Sequence, residues 1–233
     1  MLVLGLDTSS PAVGVALVDL ERQDDGGVAW GRSAVWQRVD GQRHGELLAT
    51  GIAEVLGELR ASRRSLAAVA VGLGPGPFTG LRVGIVTGLA MADALGIPVY
   101  GCCSLDAVGA WDDDGPRVVV TDARRREVYW AEYDDTGRRV AGPGVMTPGA
   151  LADALRDEGW SDRVVGDGAL KHGEVFAPWH VPDEPRYPSP DALVLLAARR
   201  VLEGAPSESL TPLYLRRPDA VPPSAGKRVT AQP

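Results

Sequence analysis

The stretch Gly72-Leu73-Gly74-Pro75-Gly76-Pro77-Phe78-Thr79-Gly80-Leu81-Arg82 constrains this chain more than any other. Ahead of it, Ala67-Ala68-Val69-Ala70-Val71 is a short apolar run with two β-branched residues, which reads as a buried strand. Behind it, Leu81 to Leu95 carries no proline and no polar cluster, which predicts a helix of about four turns. The connection itself is stiff and sterically open. Glycine admits close backbone approach and φ above zero, and proline fixes φ. Thr79 is the expected N-cap, its hydroxyl accepting from an orphan N–H of the first turn. A strand that enters a helix through such a loop can hold an anion or form a rigid corner. The spacing is neither G-x-G-x-x-G nor a Walker loop, so the loop does not choose between them.

The helix beyond the loop carries a second constraint. Gly80, Gly84, Gly88 and Ala92 recur every four residues and share one face. Each glycine costs up to about 1 kcal/mol of helix propensity relative to alanine, so a close contact must offset the loss. That contact is either the chain's own sheet or a partner helix. Ile85, Val86, Leu89 and Met91 widen the apolar surface around the stripe.

Composition excludes several function classes. The 233 residues are 45% hydrophobic and 24% charged, with a net charge of −7, which argues against a large basic nucleic-acid groove. Of 24 basic residues only Lys171 and Lys227 are lysines. Cys102 and Cys103 are adjacent and cannot bridge each other without strain, and no C-x-x-C occurs, so a reducing compartment without structural zinc is expected. The first residues read directly as a strand, with neither a basic leader nor a run of 18 apolar residues, so a cytoplasmic protein is expected.

Taken in order, Leu2 to Asp7 reads as a strand, Thr8-Ser9-Ser10-Pro11 as a polar turn, and Ala12 to Leu17 as the returning strand. Val28 to Arg38 reads as a third strand. A helix follows over about 43–59, with His44, Leu48, Ile52, Val55 and Leu59 on one face. Strand 67–71, the glycine loop, helix 81–95 and a strand from Val99 to Cys102 complete a β-β-β-α-β-α-β unit over residues 1–111. Asp112-Asp113-Asp114-Gly115-Pro116 reads as a boundary. A second unit over 116–218 opens in the same way, with Arg117 to Thr121, the turn Asp122-Ala123-Arg124-Arg125-Arg126, and Glu127 to Tyr133. A strand Arg138 to Ala141 follows, then a helix from Pro148 to about Glu158 capped by Thr147, and a short strand 163–165. Residues 169–187 read as irregular, and Ser189-Pro190-Asp191 caps a helix from Ala192 to Leu202. The tail 219–233 is rich in proline, and a disordered, dispensable segment is expected there.

Both halves thus begin with a strand, a turn bearing an aspartate, and a strand. This weak repeat resembles the duplicated α/β fold of the actin, sugar-kinase and Hsp70 group, in which a hairpin turn from each half approaches the phosphates of a nucleotide. Those turns need glycine so that backbone N–H groups can reach the phosphates. Here the turns are Asp7-Thr8-Ser9-Ser10 and Asp122-Ala123-Arg124-Arg125, without glycine. The residues therefore describe a nucleotide-binding scaffold whose own nucleotide site has decayed.

Four blocks also resemble one family. Gly74-Pro75-Gly76-Pro77-Phe78-Thr79-Gly80-Leu81-Arg82-Val83-Gly84 is similar to the signature loop of the bacterial TsaB (YeaZ) proteins, which commonly have serine at the position of Pro77. Asp7-Thr8-Ser9, Asp122 to Tyr129, and Pro212-Leu213-Tyr214-Leu215-Arg216 match further blocks in the same order. The resemblance spans about residues 1–217. It implies a non-catalytic subunit of the machinery that places a threonylcarbamoyl group on adenosine 37 of tRNAs reading ANN codons. It further implies binding to the catalytic paralogue TsaD and the ATPase TsaE, with ATP and metal on those partners and no cofactor of its own. A homodimer is possible when the chain is alone, tRNA contact is at most indirect or made within the complex, and no membrane is involved. The interface implied is a bundle of the first helix and the helix after the glycine loop, with Leu47, Leu48, Thr50, Gly84, Gly88 and Met91 as its candidates.

The residues agree with a non-catalytic role. TsaD-like proteins carry H-x-x-x-H on the first helix, whereas His44 is followed four residues later by Leu48. One histidine is not a metal site, so His44 reads as a packed or capping residue. Two other functions were open on sequence. A small-molecule kinase or ATPase of the actin-like group is disfavoured by the turns, and a peptidase by the absence of H-E-x-x-H and G-x-S-x-G.

Overall fold

The computed structural model of this chain describes residues 1–24, 26–110 and 115–216. Its first segment runs β1 (Leu2–Asp7), β2 (Ala12–Arg22), β3 (Val28–Val39), α1 (His44–Glu58), β4 (Leu66–Gly72), α2 (Phe78–Leu95), β5 (Val99–Cys102) and α3 (Ser104–Gly109). The second runs β6 (Arg117–Asp122), β7 (Val128–Tyr133), β8 (Arg139–Met146), α4 (Pro148–Glu158), β9 (Val164–Val165), α5 (Asp167–Lys171), α6 (Gly173–Phe176) and α7 (Pro190–Leu202). The strands form two mixed sheets, ordered β3-β2-β1-β4-β5 and β8-β7-β6-β9. In each, an antiparallel meander is extended by parallel strands, β4 and β5 in the first and β9 in the second. This is the duplicated two-sheet α/β fold of the actin-like type that the two aspartate turns anticipate.

Period-two alternation explains how the first sheet is covered on both faces. Leu4, Leu6, Val15, Val69 and Val71 point to the side of α1 and α2. Val3, Ala16, Val18, Ala68 and Ala70 point to the other side, where α7 lies. Sequence placed α7 in the second half, yet it packs on the first sheet, because its stripe Ala192, Val194, Ala197 and Val201 fits the apolar back of β1, β2 and β4. The fit is close: a Cβ on Gly5 would stand 2.2 Å from the Pro190 carbonyl oxygen. The second sheet packs Val119, Ala131 and Tyr133 against Leu105 and Val108 of α3. Its other face buries Val118 and Val120 under Leu151 and Leu155 of α4 and Phe176 of α6.

Several boundaries shift from the sequence reading. β2 continues past Leu17 to Arg22, and β8 extends to Met146 across Pro143, which an edge strand accommodates. α3 and the short helices α5 and α6, of which α5 runs into and α6 lies inside the stretch read as irregular, give too few turns for a periodic signal. α2 starts at Phe78, with Pro77 in the N-cap position and no side-chain cap, so Thr79 is a helical residue and not the cap. Thr147 does cap α4, its Oγ1 accepting from Ala150 N at 3.3 Å with Pro148 inside the first turn. α2, at 18 residues and a mean hydropathy of 1.3, is by length and composition able to cross a membrane. Here its glycine face lies on the first sheet. The run Asp112-Asp113-Asp114 and the tail 219–233 lie outside the described residues.

After α7, residues 205–216 run back as a strap along the β5 edge. Glu208 N donates to Val99 O at 3.0 Å, and Leu213 N donates to Leu73 O at 2.8 Å. Arg200 anchors the strap by pairing with Glu208 at 2.7 Å. The strap thereby carries Tyr214 and Arg216 to the glycine loop and the second aspartate turn.

Candidate functional site

Asp7 ends β1 and is 1% exposed. Its carboxylate accepts from Ser9 N at 2.8 Å, Ser9 Oγ at 2.7 Å and Ser104 Oγ at 2.6 Å. Burial raises its pKa, and the Ser104 and Ser9 hydrogen bonds oppose that rise. The chain itself closes over this carboxylate: a Cβ on Gly72 would stand 1.9 Å from Asp7 Oδ2. Thr8 is equally enclosed. Its Oγ1 donates to Gly80 O at 2.7 Å and accepts from Gly84 N at 2.9 Å, which bridges the two ends of one helical i→i−4 link in α2.

At the second turn, Asp122 Oδ1 accepts from Arg124 N at 3.0 Å, and Oδ2 pairs with Lys171 Nζ at 2.7 Å. Arg124, Arg125 and Arg126 hold positive φ of 61°, 49° and 64°. This is a left-handed run that costs a non-glycine residue about 1–2 kcal/mol per position. Asp167 accepts from Asp122 N at 3.2 Å, and burial pushes its carboxyl up to about 6. Between the two aspartate turns, Ser9, Ser10, Pro75, Thr121, Asp122 and Asp167 leave a void of about 10 Å³, room for roughly one water.

The glycine stripe resolves onto the chain's own sheet. A Cβ on Gly80 would lie 2.6 Å from Thr8 O, on Gly84 2.5 Å from Thr8 Oγ1, and on Gly88 2.5 Å from Val71 Cγ2. Gly84, Gly88 and the buried Leu48 therefore cannot serve a partner, which corrects their place among the interface candidates. Leu47 and Met91 are half-buried against the core, whereas Thr50 is exposed. The outward surface of the paired helices also includes Val86, 60% exposed, and Leu89, 39% exposed.

A larger cleft of about 730 Å³ opens at the junction of the halves. The glycine loop supplies Gly76, Pro77, Phe78, Thr79 and Gly80, and the start of α1 supplies Gln42, His44 and Gly45. Ala123, Arg124 and Tyr129 come from the second sheet, and Tyr214 and Arg216 from the strap. Phe78 stacks on Tyr214 with ring centroids 5.3 Å apart. The Arg82 guanidinium lies 3.7 Å from the Phe78 centroid, and its Nε donates to Tyr214 Oη at 3.3 Å. Arg216 donates to Ala123 O at 3.1 Å and pairs with Glu127 at 3.2 Å. His44 Nε2 stands 3.0 Å from Ser10 O, so the ring ties the start of α1 to the first turn. Among the described residues, no group of three or more His, Cys, Asp or Glu is placed to hold a metal ion. Cys102 and Cys103 are free and buried, and burial pushes both thiols up to about 11.

The structure thus brings together, at one cleft, blocks that lie far apart in sequence: the glycine loop, the arginine turn and Pro212–Arg216. Gln42 is a member of this cleft that no sequence motif marks, and His44, read from sequence as a packed or capping residue, lines it as well.

These features define a duplicated actin-like scaffold with a small void of about 10 Å³ between its two aspartate turns and a larger cleft opening beside the second. The family model for TsaD, tRNA N6-adenosine threonylcarbamoyltransferase, matches residues 38–173. An uncharacterized protein of Mycobacterium tuberculosis (strain H37Rv) is 46% identical over 220 residues, covering 94% of each chain. The Escherichia coli tRNA threonylcarbamoyladenosine biosynthesis protein TsaB is 30% identical over 93% of this chain and 95% of its own length. The solved structure of YeaZ from Pseudomonas aeruginosa superposes with a TM-score of 0.70 at 27% identity, covering 92% of this chain and all of that one. The chain belongs to the TsaB (YeaZ) family.

Proposed function

We propose that this chain is a non-catalytic subunit of the bacterial assembly that forms N6-threonylcarbamoyladenosine at position 37 of tRNAs reading ANN codons. In this reading it supports a TsaD-type catalytic subunit beside a TsaE-type ATPase in the cytoplasm, and those partners carry the ATP and metal chemistry. The observation that carries it is the void of about 10 Å³ between the Asp7 and Asp122 turns, where an actin-like enzyme would need room for phosphates. Asp7 is engaged by three internal hydrogen bonds, and Gly72 closes over its carboxylate. The outward surface of α1 and α2, with Thr50, Val86 and Leu89, supports a helical contact with TsaD, or with a second copy when TsaD is absent. Two helices against two would bury roughly 1,200–2,000 Å².

The test is co-expression with the TsaD-type protein of the same cell, followed by size-exclusion with light scattering. The wild-type chain should co-elute. Val86→Glu and Thr50→Arg should release the partner while circular dichroism stays unchanged. In cells depleted of the endogenous subunit, mass spectrometry of tRNA nucleosides should show the modification restored by the wild type and not by Val86→Glu. Robust ATP hydrolysis by the purified chain, abolished by Asp7→Ala, would overturn the non-catalytic reading.

A further inference from the structure

We infer that the cleft at the junction of the halves seats one nucleotide of a single-stranded RNA segment, with its base against the Phe78–Tyr214 platform and its phosphodiester at Arg124. This rests on the reading of the chain as part of a tRNA-modifying assembly. It concerns a place distinct from the closed gap between the aspartate turns.

Charge is the first argument. The chain carries −7 overall, yet the residues lining this cleft include Arg124, Arg216 and His44 and no carboxylate. The two arginines are not equivalent. Arg216 is neutralised by Glu127 and held by the Ala123 carbonyl. Arg124 makes no ion pair among the described residues, although its backbone is fixed by the Asp122 carboxylate and held at a φ of 61°. A side chain presented from a left-handed, over-determined turn and left without a counter-charge fits the pattern of strain kept at binding sites. Among the arginines lining the cleft, Arg124 is the one left to meet the single charge of a phosphodiester, while the Arg82 guanidinium is engaged on the Phe78 ring and Tyr214 Oη.

The platform is the second argument. Phe78 and Tyr214 stack while remaining 46% and 41% exposed. Arg82 locks the pair by covering Phe78 and donating to Tyr214 Oη, so a planar ligand meets a surface already assembled, and little ordering is required on binding. Stacking of this kind accepts any base, but only one that has left a helical stack. A cleft of about 730 Å³ lies within the range that holds small ligands and accommodates a nucleotide.

Fluorescence anisotropy of a labelled eight-nucleotide single-stranded RNA, titrated with the full chain, tests the inference. Tyr214→Ala and Arg124→Gln should each weaken binding about tenfold. Tyr214→Phe should keep it. Arg126→Gln, which removes the same charge outside the cleft lining, should change it by less than about twofold. Thermal melts confirm that each variant folds. Equal losses for Arg126→Gln and Arg124→Gln, no loss for Tyr214→Ala, or ATP displacing the probe more effectively than unlabelled RNA would each overturn the assignment. Co-elution with the TsaD-type partner is measured on the same variants. Lost RNA binding by the wild-type chain with co-elution intact defeats only this inference, whereas failure to co-elute defeats the reading on which it rests.

Discussion

Replacing Thr8 by valine should destabilise the fold by about 2–4 kcal/mol. The side chain is 1% exposed, and its hydroxyl serves as both donor and acceptor to α2, at 2.7 Å from Gly80 O and 2.9 Å from Gly84 N. Valine keeps the shape and puts a methyl group where the oxygen was. A buried carbonyl and a buried N–H each lose a partner, at roughly 1–3 kcal/mol per unsatisfied group. The sum is reduced to the extent that the Gly84 N–H and the Gly80 carbonyl satisfy each other within α2, where both lie. For a chain of this size about 1 kcal/mol moves the melting temperature by some 2–4 °C, so a fall of about 5–15 °C is expected. Thr8→Ser keeps the hydroxyl and loses one methyl, and should cost only about 1 kcal/mol. Urea unfolding followed by circular dichroism at 222 nm separates the three proteins. If the valine variant lies within about 0.5 kcal/mol of wild type, the helix closes its own bond, and the bridge is incidental to stability.

Two further outcomes follow from the same neighbourhood. Gly88→Leu should destabilise by about 1–3 kcal/mol, because its Cβ would stand 2.5 Å from Val71 Cγ2. Gly57→Ala in α1 meets nothing within 4 Å and should stabilise by about 0.5–1 kcal/mol, and thermal melts that reversed this order would refute the packing described. Asp167 retains its proton to about pH 6 when folded, against a reference of 3.8, so its contribution is fully present below pH 3.8 and is lost as pH rises through 6. Asp167→Asn should therefore be more stable than wild type above pH 6, by up to about 2–3 kcal/mol, with the difference vanishing near pH 4 in melts run across that range.

Local chemistry made much of the fold legible. Apolar runs located β1, β4 and β6, and Thr147-Pro148 marked the start of α4, because those signals depend on neighbours in sequence. The glycine stripe was legible as a close contact but not as a contact with anything in particular: propensity records the cost of glycine and is silent about what approaches. The destination of α7 was hidden for a related reason. An amphipathic helix states which face it buries, and both sheets offered apolar surface. The cleft was the least legible part. Tyr214 joins Phe78 and Arg124 only because the strap 205–216 returns along β5, through backbone bonds such as Leu213 N to Leu73 O that carry no sequence signature.

The position of α7 also has a consequence for how the protein is made. The five strands of the first sheet are all synthesised by Cys102, but one face of that sheet, with Val3, Ala16, Val18, Ala68 and Tyr100, has no cover until Leu202 has been added. At ribosomal rates of roughly 5–20 residues per second, that interval is on the order of ten seconds. For that time the nascent chain presents a continuous apolar sheet surface, which invites chaperone capture and pairing with other nascent chains. A helix nearly a hundred residues downstream is thus the one that completes the first sheet to be built.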